Sequence, residues 1–281
     1  MLCLVRMRRV FPNMITAFSL ACGLFVIFKV NMVEPGEGVY EVVQSSVFLL
    51  ILAAFADFMD GALARAIHAE SDFGVIFDSL ADAVTFGVAP SVLMLKTLSL
   101  EQGTLLSFLS AAGAMIYSVC GVLRLVRYSV KAREVKEGVE LAATHKSHFT
   151  GLPIPAAAAA SVSLNLFFLS PWAVQFFVFS KSDLAILFSS AALALGYLMV
   201  CRLKFPSLKM LRLPIPSFYL ICATVLALIL VLYGILHFFA FTLLLVSWSY
   251  IFISLLLSFI RLMAGKKSKT LEEFEPDSED F

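Results

Sequence analysis

Charged residues are scarce in this chain. Only 15% of its 281 residues are Asp, Glu, Lys or Arg, whereas 60% are hydrophobic. A soluble domain carries roughly 25% charged residues, so the composition excludes an ordinary water-soluble protein. The formal net charge is +1, which leaves no large field of one sign to attract a nucleic acid. We therefore predict a polytopic membrane protein that contacts membrane lipids and no nucleic acid.

Cysteine and histidine are also sparse, with five Cys and four His in the whole chain. The cysteines form no CxxC pair, and the histidines have no paired spacing of the kind that binds metals. These absences exclude the common zinc-binding motifs. The cysteines, most of which fall inside apolar runs, are predicted to act as small apolar side chains.

Long apolar runs dominate the sequence. A run of about 20 such residues is long enough to cross the bilayer as a helix. Eight candidates occur, near residues 12–32, 44–66, 75–96, 104–124, 153–171, 184–201, 214–235 and 238–261. The last two are separated by very few residues, which leaves the count open. The predicted fold is all-α, a polytopic transmembrane helical bundle.

The basic residues predict the orientation of the chain. If both termini face the cytoplasm, Lys29, Lys96 and Lys181 fall at or near the outer ends, and the other 18 of the 21 Lys and Arg residues lie inside. Basic residues are normally enriched on the cytoplasmic side of a membrane. We therefore predict that both termini face the cytoplasm.

The segment DFMDGALARAIHAESDFGVIFDSLAD places four aspartates, Asp57, Asp60, Asp78 and Asp82, beside long apolar runs. An uncompensated carboxylate in the bilayer costs roughly 2.5 to 3.5 kcal/mol on insertion scales, so these acids need an explanation. Asp57 and Asp60 are three residues apart and share one helical face. Asp78 and Asp82, four apart, share a face of the next helix. A turn near residues 69–73 would bring both pairs to the same depth, at the cytoplasmic ends of the two helices.

Converging carboxylates in a medium of low dielectric need a counter-charge to stay ionised. Oxygen ligands of this kind select Mg²⁺, Mn²⁺ or Ca²⁺ over zinc or copper. Two divalent ions would balance four carboxylates, and a two-metal site can stabilise both the attacking and the leaving oxygen at phosphorus. Phosphoryl chemistry is therefore the leading hypothesis.

The residues between the two acidic pairs fit phosphate binding. Gly61 and Ala64 keep one helical face low enough for a ligand to approach closely. Arg65 offers a planar guanidinium to a phosphate, while Ser71 and Gly74 offer a hydroxyl and backbone NH groups near the turn. The alternative interpretation assigns the small residues to helix packing and Arg65 to the cytoplasmic excess of basic residues.

The spacing D-x2-D-G-x2-A-R-x8-G-x3-D-x3-D, from Asp57 to Asp82, resembles the signature of the CDP-alcohol phosphatidyltransferases at every fixed position. The resemblance implies a membrane enzyme with a six-helix core that transfers a phosphatidyl group from CDP-diacylglycerol to an alcohol and releases CMP. It also implies a homodimer. It places the CDP moiety at Gly61, Arg65 and Ser71.

The same resemblance implies two divalent metal ions, Mg²⁺ or Mn²⁺, as cofactors. Their ligands would be Asp57, Asp60, Asp78 and Asp82. Asp82 would in addition be the catalytic residue that accepts the proton of the alcohol.

Other segments resemble the bacterial, membrane-bound branch of this family whose acceptor alcohol is L-serine. They are PNMIT at 12–16, FDSLADAVTFGVAP at 77–90, LRLVRYSV at 123–130, GLPIPAAAA at 151–159 and YLMVCRLKFPSLK at 197–209. Val126 and Ser129 stand where that branch carries Ala and Asn. The resemblance implies a bacterial inner-membrane protein with its active site facing the cytoplasm.

A serine acceptor requires a cation for its carboxylate. Arg124 and Arg127 are three residues apart at the cytoplasmic end of the fourth helix, where both guanidinium groups could face the acidic cluster. They are explained equally well as ordinary cytoplasmic basic residues. Asn13 and Thr16 share a face at the start of the first helix, where contact with the nucleotide and helix capping are both consistent with their positions.

Two alternative functions follow from the same residues. The first is the same transfer to glycerol 3-phosphate or inositol phosphate, which should demand more cationic residues at the pocket than serine does. The second is a cation transporter, since intramembrane carboxylates also bind transported ions. A transporter needs access to its acids from both faces of the membrane, whereas all four aspartates cluster toward the cytoplasmic ends of their helices. The framework of Gly61, Arg65 and Gly74 also has no purpose in a cation path.

The chain is predicted to divide into three parts. Residues 1–212 form the membrane-embedded catalytic core, 213–262 an additional pair of transmembrane helices, and 263–281 a disordered acidic cytosolic tail. The tail has too few apolar residues to bury.

Overall fold

The computed structural model describes residues 2–32, 39–67, 71–101, 103–136, 148–177, 179–201, 204–206, 231–235 and 237–264. The chain forms two compact units. The first comprises Met1–Leu141 and Pro153–Val200, and the second comprises Ala142–Leu152 and Cys201–Phe281. The described residues are overwhelmingly helical, which confirms the predicted polytopic helical bundle.

Among its described residues, the first unit contains eight α-helices and one π-helical segment. They are α1 (Leu2–Met32), α2 (Val39–Ala66), α3 (Asp72–Asp82), the π-helical segment (Ala83–Val88), α4 (Ala89–Leu98), α5 (Leu105–Lys136), α6 (Ile154–Leu169), α7 (Pro171–Phe176) and α8 (Lys181–Val200). The segment that we call the π-turn, Ala83–Val88, joins α3 to α4 without a break, so that Asp72–Leu98 forms a single span.

Six described helices are long and apolar enough to cross a membrane. They are Phe11–Met32, Val39–Ala66, Asp72–Leu98, Leu105–Val130, Lys181–Val200 and Phe239–Ser258. All six correspond to predicted spans, which makes the chain an integral membrane protein. The predicted span 214–235 lies outside the described residues except for 231–235, which are helical.

The remaining predicted span, 153–171, is the shorter helix α6, which has 16 residues. Pro155 lies in its first turn, where a missing backbone NH costs no hydrogen bond. Its end is set by Pro171, because proline disfavours a helical conformation at the residue before it. Ser170 is accordingly extended (φ −66°, ψ 145°), and its hydroxyl accepts a hydrogen bond from Ala173 N at the start of α7.

Small residues allow the helices of the first unit to pack closely. α1 lies against α2, and α5 lies against α8. A Cβ atom on Gly23 of α1 would lie only 2.8 Å from Thr85 Cα in the π-turn, and one on Gly113 of α5 would lie 3.4 Å from the Ser189 carbonyl oxygen of α8. Backbone approach of this kind is the usual source of helix association in membranes, where lipid competes for apolar side chains.

The second unit contains two short strands and one long helix among its described residues. The strand β1 (His148–Thr150) pairs with β2 (Lys204–Pro206) in antiparallel register, with Phe149 opposite Phe205. The sequence does not predict these strands, because three residues are too few to show an alternating pattern. The last helix, α9, spans Phe239–Ala264.

The predicted boundary between residues 212 and 213 lies outside the described residues. The predicted acidic tail, 263–281, also lies outside them apart from its first two residues, which end α9. The division of the chain into a catalytic core, a helix pair and a tail stays a prediction.

Candidate metal and nucleotide site

The turn between α2 and α3 sets the depth of the acidic residues. α2 ends at Ala66, and α3 begins at Asp72 with Ser71 as its N-cap. The Ser71 hydroxyl accepts a hydrogen bond from Gly74 N at 3.1 Å, which satisfies one of the backbone donors left free at a helix start. The two helices therefore reverse direction at the predicted place.

The hairpin brings the four aspartates together. Asp57, Asp60 and Asp78 each offer a carboxylate oxygen, and these oxygens all lie within 4.8 Å of one another. Asp57 also lies within hydrogen-bond reach of Asp82. Asp60 is buried, with 4% of its surface exposed, and the other three are half-buried. Helical spacing along two antiparallel helices thus produces one shared carboxylate cluster.

One atom of this cluster indicates what it could bind. Asp78 Oδ1 is buried and has no hydrogen-bond partner among the described residues. A buried carboxylate oxygen without a partner is strongly unfavourable. A divalent cation held by Asp57, Asp60 and Asp78 would remove that penalty, and a set of donors consisting only of oxygens fits Mg²⁺ or Mn²⁺ better than zinc.

Thr16 of α1 contacts the cluster directly. Its hydroxyl donates a hydrogen bond to Asp60 Oδ2 at 2.5 Å and lies 3.2 Å from the carbonyl oxygen of Pro12. Thr16 is buried, with 5% of its surface exposed. The threonine therefore fixes the orientation of the most buried carboxylate of the cluster. A contact between Thr16 and the nucleotide stays a prediction.

The other predicted nucleotide contacts lie along the same hairpin. A Cβ atom on Gly74 would be 3.1 Å from both Asn13 Oδ1 and Ser71 Oγ, so the amide of Asn13 lies against the first turn of α3. A Cβ atom on Gly61 would be 3.4 Å from Nη1 of Arg65, whose guanidinium therefore lies over the glycine. The two glycines leave room for polar groups next to the cluster.

The two arginines in the second half of α5 differ in burial. Arg124 is buried, with 9% of its surface exposed. Arg127 is half-buried, and its Nη1 donates a hydrogen bond to the carbonyl oxygen of Val200, the last residue of α8, at 3.1 Å. A cation that binds the last carbonyl groups of a helix stabilises its end. Arg127 thus has a clear structural role, and serine binding by either arginine stays a prediction.

Sequence reasoning missed two polar features near the acids. Ser79, between the aspartates of α3, lies within hydrogen-bond distance of Ser129 on α5, with 3.1 Å between the two hydroxyl oxygens. The π-turn follows Asp82 directly and receives hydrogen bonds from two hydroxyl groups of α5. Ser79 and Ser129 lie 50 positions apart, so no local pattern signals the first feature, and a hydroxyl in an apolar span is too common to signal the second.

Comparisons with known proteins identify relatives of this chain. A family model described as CDP-alcohol phosphatidyltransferase matches residues 9–199. The chain is 34% identical to a CDP-diacylglycerol–serine O-phosphatidyltransferase of Bacillus subtilis over 198 residues, 70% of this chain and 90% of that protein. It is 29% identical to proteins of the same name from Helicobacter pylori over 211 residues (75% and 78%) and from Methanocaldococcus jannaschii over 193 residues (67% and 77%).

Proposed function

The chain belongs to the CDP-alcohol phosphatidyltransferase family, and we propose that it transfers the phosphatidyl group of CDP-diacylglycerol to L-serine, giving phosphatidylserine and CMP. Family membership makes the protein an enzyme of phosphatidyl transfer. The choice of serine is supported by the relatives from three different organisms, each of which is named CDP-diacylglycerol–serine O-phosphatidyltransferase. The observation that carries the chemistry is the convergence of the carboxylates with the unpartnered oxygen of Asp78.

The carboxylate cluster is the proposed cofactor site. Two divalent ions, Mg²⁺ or Mn²⁺, would be held by Asp57, Asp60, Asp78 and Asp82. When bound, such ions supply positive charge that stabilises the diphosphate of the donor and the departing CMP. The hydroxyl of Thr16 keeps the Asp60 carboxylate in a fixed orientation for this purpose.

The neighbouring residues bind the donor in this proposal. Arg65, which lies over Gly61, offers parallel NH groups to a phosphate oxygen of the CDP moiety. Asn13 and the Ser71 cap at the start of α3 contact the same moiety. The acyl chains of the donor stay in the surrounding lipid, because the cluster lies on membrane-spanning helices.

Asp82 is the proposed general base. It accepts the proton of the serine hydroxyl, and the serine oxygen then attacks the phosphorus that bears the diacylglycerol oxygen. A new phosphorus–oxygen bond forms to serine, and the bond between that phosphorus and the bridging diphosphate oxygen breaks. The electron pair leaves with CMP, whose charge Arg65 helps to stabilise.

The site and both termini are proposed to face the cytoplasm of a bacterial inner membrane. The inner excess of Lys and Arg supports this orientation. A cytoplasmic site also suits acceptor and product, because serine and CMP are soluble in water. A homodimer stays a prediction.

An acceptor test decides between serine and the other alcohols. Purified protein in detergent would receive CDP-diacylglycerol and Mn²⁺ or Mg²⁺, together with serine, glycerol 3-phosphate or inositol phosphate. We expect CMP release when serine is the acceptor and none with either phosphate acceptor. The release with serine should stop when a chelator removes the divalent ions. Release with either phosphate acceptor and none with serine would refute the proposed acceptor.

A further inference from the structure

The helix that carries Asp78 and Asp82 changes its winding directly after the second acid. The π-turn begins at Ala83, and the NH of Ala89 bonds to the carbonyl oxygen of Val84, five residues earlier. Each residue of an α-helix turns by about 100°, and a π-turn adds one residue to the turn. The π-turn therefore sets the rotation of α3 relative to α4 and decides which way Asp82 faces.

Two neighbouring residues of α5 bind the π-turn. Tyr117 donates a hydrogen bond through its hydroxyl to the carbonyl oxygen of Phe86 at 3.1 Å, and Ser118 donates one to the carbonyl oxygen of Gly87 at 2.9 Å. Tyr117 is almost fully buried, with 1% of its surface exposed. Side-chain donors that enter a helical hydrogen-bond ladder stabilise departures from α geometry. These hydroxyls favour the π-turn over a regular α-helix.

α1 contacts the π-turn as well. A Cβ atom on Gly23 would lie 2.5 Å from Thr85 Oγ1, so only glycine allows the two backbones to approach this closely. The Thr85 hydroxyl donates a hydrogen bond to the carbonyl oxygen of Ser19 at 3.3 Å. The π-turn is therefore held by α1 through Thr85 and by α5 through Tyr117 and Ser118.

We propose that Tyr117 and Ser118 are positioning residues for Asp82. By holding the π-turn, they fix the rotation of the end of α3 at which Asp82 meets Asp57. If the π-turn relaxed to an α-helix, the end of α3 would rotate by about 100° relative to α4. That rotation would turn Asp82 away from the cluster. The inference rests on the proposed function, since it assigns Asp82 the roles of base and metal ligand.

The test compares matched deletions of hydroxyl groups on α5. The variants are Tyr117→Phe, Ser118→Ala and the double change, and the control is Ser110→Ala. Ser110 lies on the same helix, where its hydroxyl accepts a hydrogen bond from Ser189 at 3.1 Å. Each protein would be measured for Mn²⁺ affinity by electron paramagnetic resonance without substrate, for kcat and KM, and for thermal unfolding in detergent.

We expect the double variant to lose about 10-fold to 100-fold in Mn²⁺ affinity and in kcat, the range for groups that orient metal ligands. At saturating Mn²⁺ the KM for CDP-diacylglycerol should change little, because the proposed donor contacts of Arg65, Asn13 and Ser71 are unchanged. Ser118→Thr, which keeps a hydroxyl, should retain the wild-type Mn²⁺ affinity and kcat that Ser118→Ala loses in part. The control should keep its affinity and kcat even if it unfolds at a lower temperature.

Two results would overturn the inference. One is a double variant with the Mn²⁺ affinity and kcat of the control. The other is a loss that follows the unfolding temperature across all variants, the control included. If the double variant does not fold, the single variants are judged by the same criteria. Since Mn²⁺ affinity needs no acceptor, a failure of the serine proposal alone would leave this measurement decisive.

Discussion

Buried polar groups have different partners at the two ends of the first unit, the end with the α2–α3 turn and the opposite end. At the end away from the α2–α3 turn, uncharged groups bind each other. Thr97 donates to Asn165 Oδ1 at 2.8 Å, and Ser189 donates to Ser110 at 3.1 Å. At the end with the turn, carboxylates converge, and Asp78 Oδ1 has no partner among the described residues. The first arrangement is complete without a ligand, whereas the second needs one.

Charge, more than burial, distinguishes the two ends. Asn165 is more buried than any aspartate of the cluster, at 1% exposed, yet its amide is satisfied by Thr97 and by the carbonyl oxygen of Ser161. Ser46 Oγ is also buried without a partner in the part of the chain that the structure describes. A neutral hydroxyl costs far less to bury than a carboxylate, so Ser46 alone does not imply a ligand.

The largest expected effect comes from removing a carboxylate of the cluster. Asp78→Ala should abolish CMP release that depends on divalent ions, because the proposed site loses a charged ligand. The protein should still insert in the membrane. The matched control is Asn165→Ala at the opposite end, which should lower the unfolding temperature and leave turnover intact. Near-normal turnover of Asp78→Ala would show that the two ends do not differ as described.

The change Asp82→Asn separates the base from the ligand. An amide keeps the shape and one oxygen but loses the basic site, so we expect kcat to fall by about 10²-fold to 10⁴-fold. Binding of CDP-diacylglycerol should survive. The measurement is a Mn²⁺ titration of kcat for both proteins. Recovery of the wild-type rate at high Mn²⁺ would mean that Asp82 acts as a ligand and that another group takes the proton.

Two threonines sharpen the comparison, because each donates to a side-chain oxygen at one end of the unit. Thr16→Val removes the donor to Asp60 and should weaken Mn²⁺ affinity by about 10-fold or more, as is usual for partners of metal ligands. High Mn²⁺ should restore much of the rate. Thr97→Val should lower stability without changing Mn²⁺ affinity. Equal Mn²⁺ affinities of Thr16→Val and Thr97→Val would show that the hydrogen bond to Asp60 has no particular role in metal binding.

The smallest effect is expected from Arg65→Lys. An ammonium group keeps the charge but cannot reproduce the planar contact of a guanidinium with a phosphate. Turnover should fall in part, mainly through a higher KM for CDP-diacylglycerol, while Mn²⁺ affinity stays unchanged. Steady-state kinetics at saturating Mn²⁺ would show this. Kinetics identical to the wild type would leave Arg65 with a role in membrane orientation alone.

The part of this site that could be predicted from the sequence is the part that depends on the spacing of residues within one helix. The helical period placed Asp57 and Asp60 on one face of α2, and Asp78 and Asp82 on one face of α3. A turn between the two helices was then enough to predict that the four carboxylates lie close together. The hydrogen bond from Thr16 to Asp60 joins residues 44 positions apart, and no local pattern reveals such a contact. The π-turn was equally hidden, since it depends on hydroxyl groups that another helix supplies.

The most direct test counts the Mn²⁺ ions that the purified protein binds without substrate. Electron paramagnetic resonance of the free ion during a titration gives both the number of sites and their affinity. We predict about two saturable sites per chain, the number that balances four carboxylates, and the loss of saturable binding in Asp57→Ala and Asp78→Ala. No saturable binding to the wild type, or saturable binding in both variants equal to that of the wild type, would contradict the claim that this carboxylate cluster is built around metal ions.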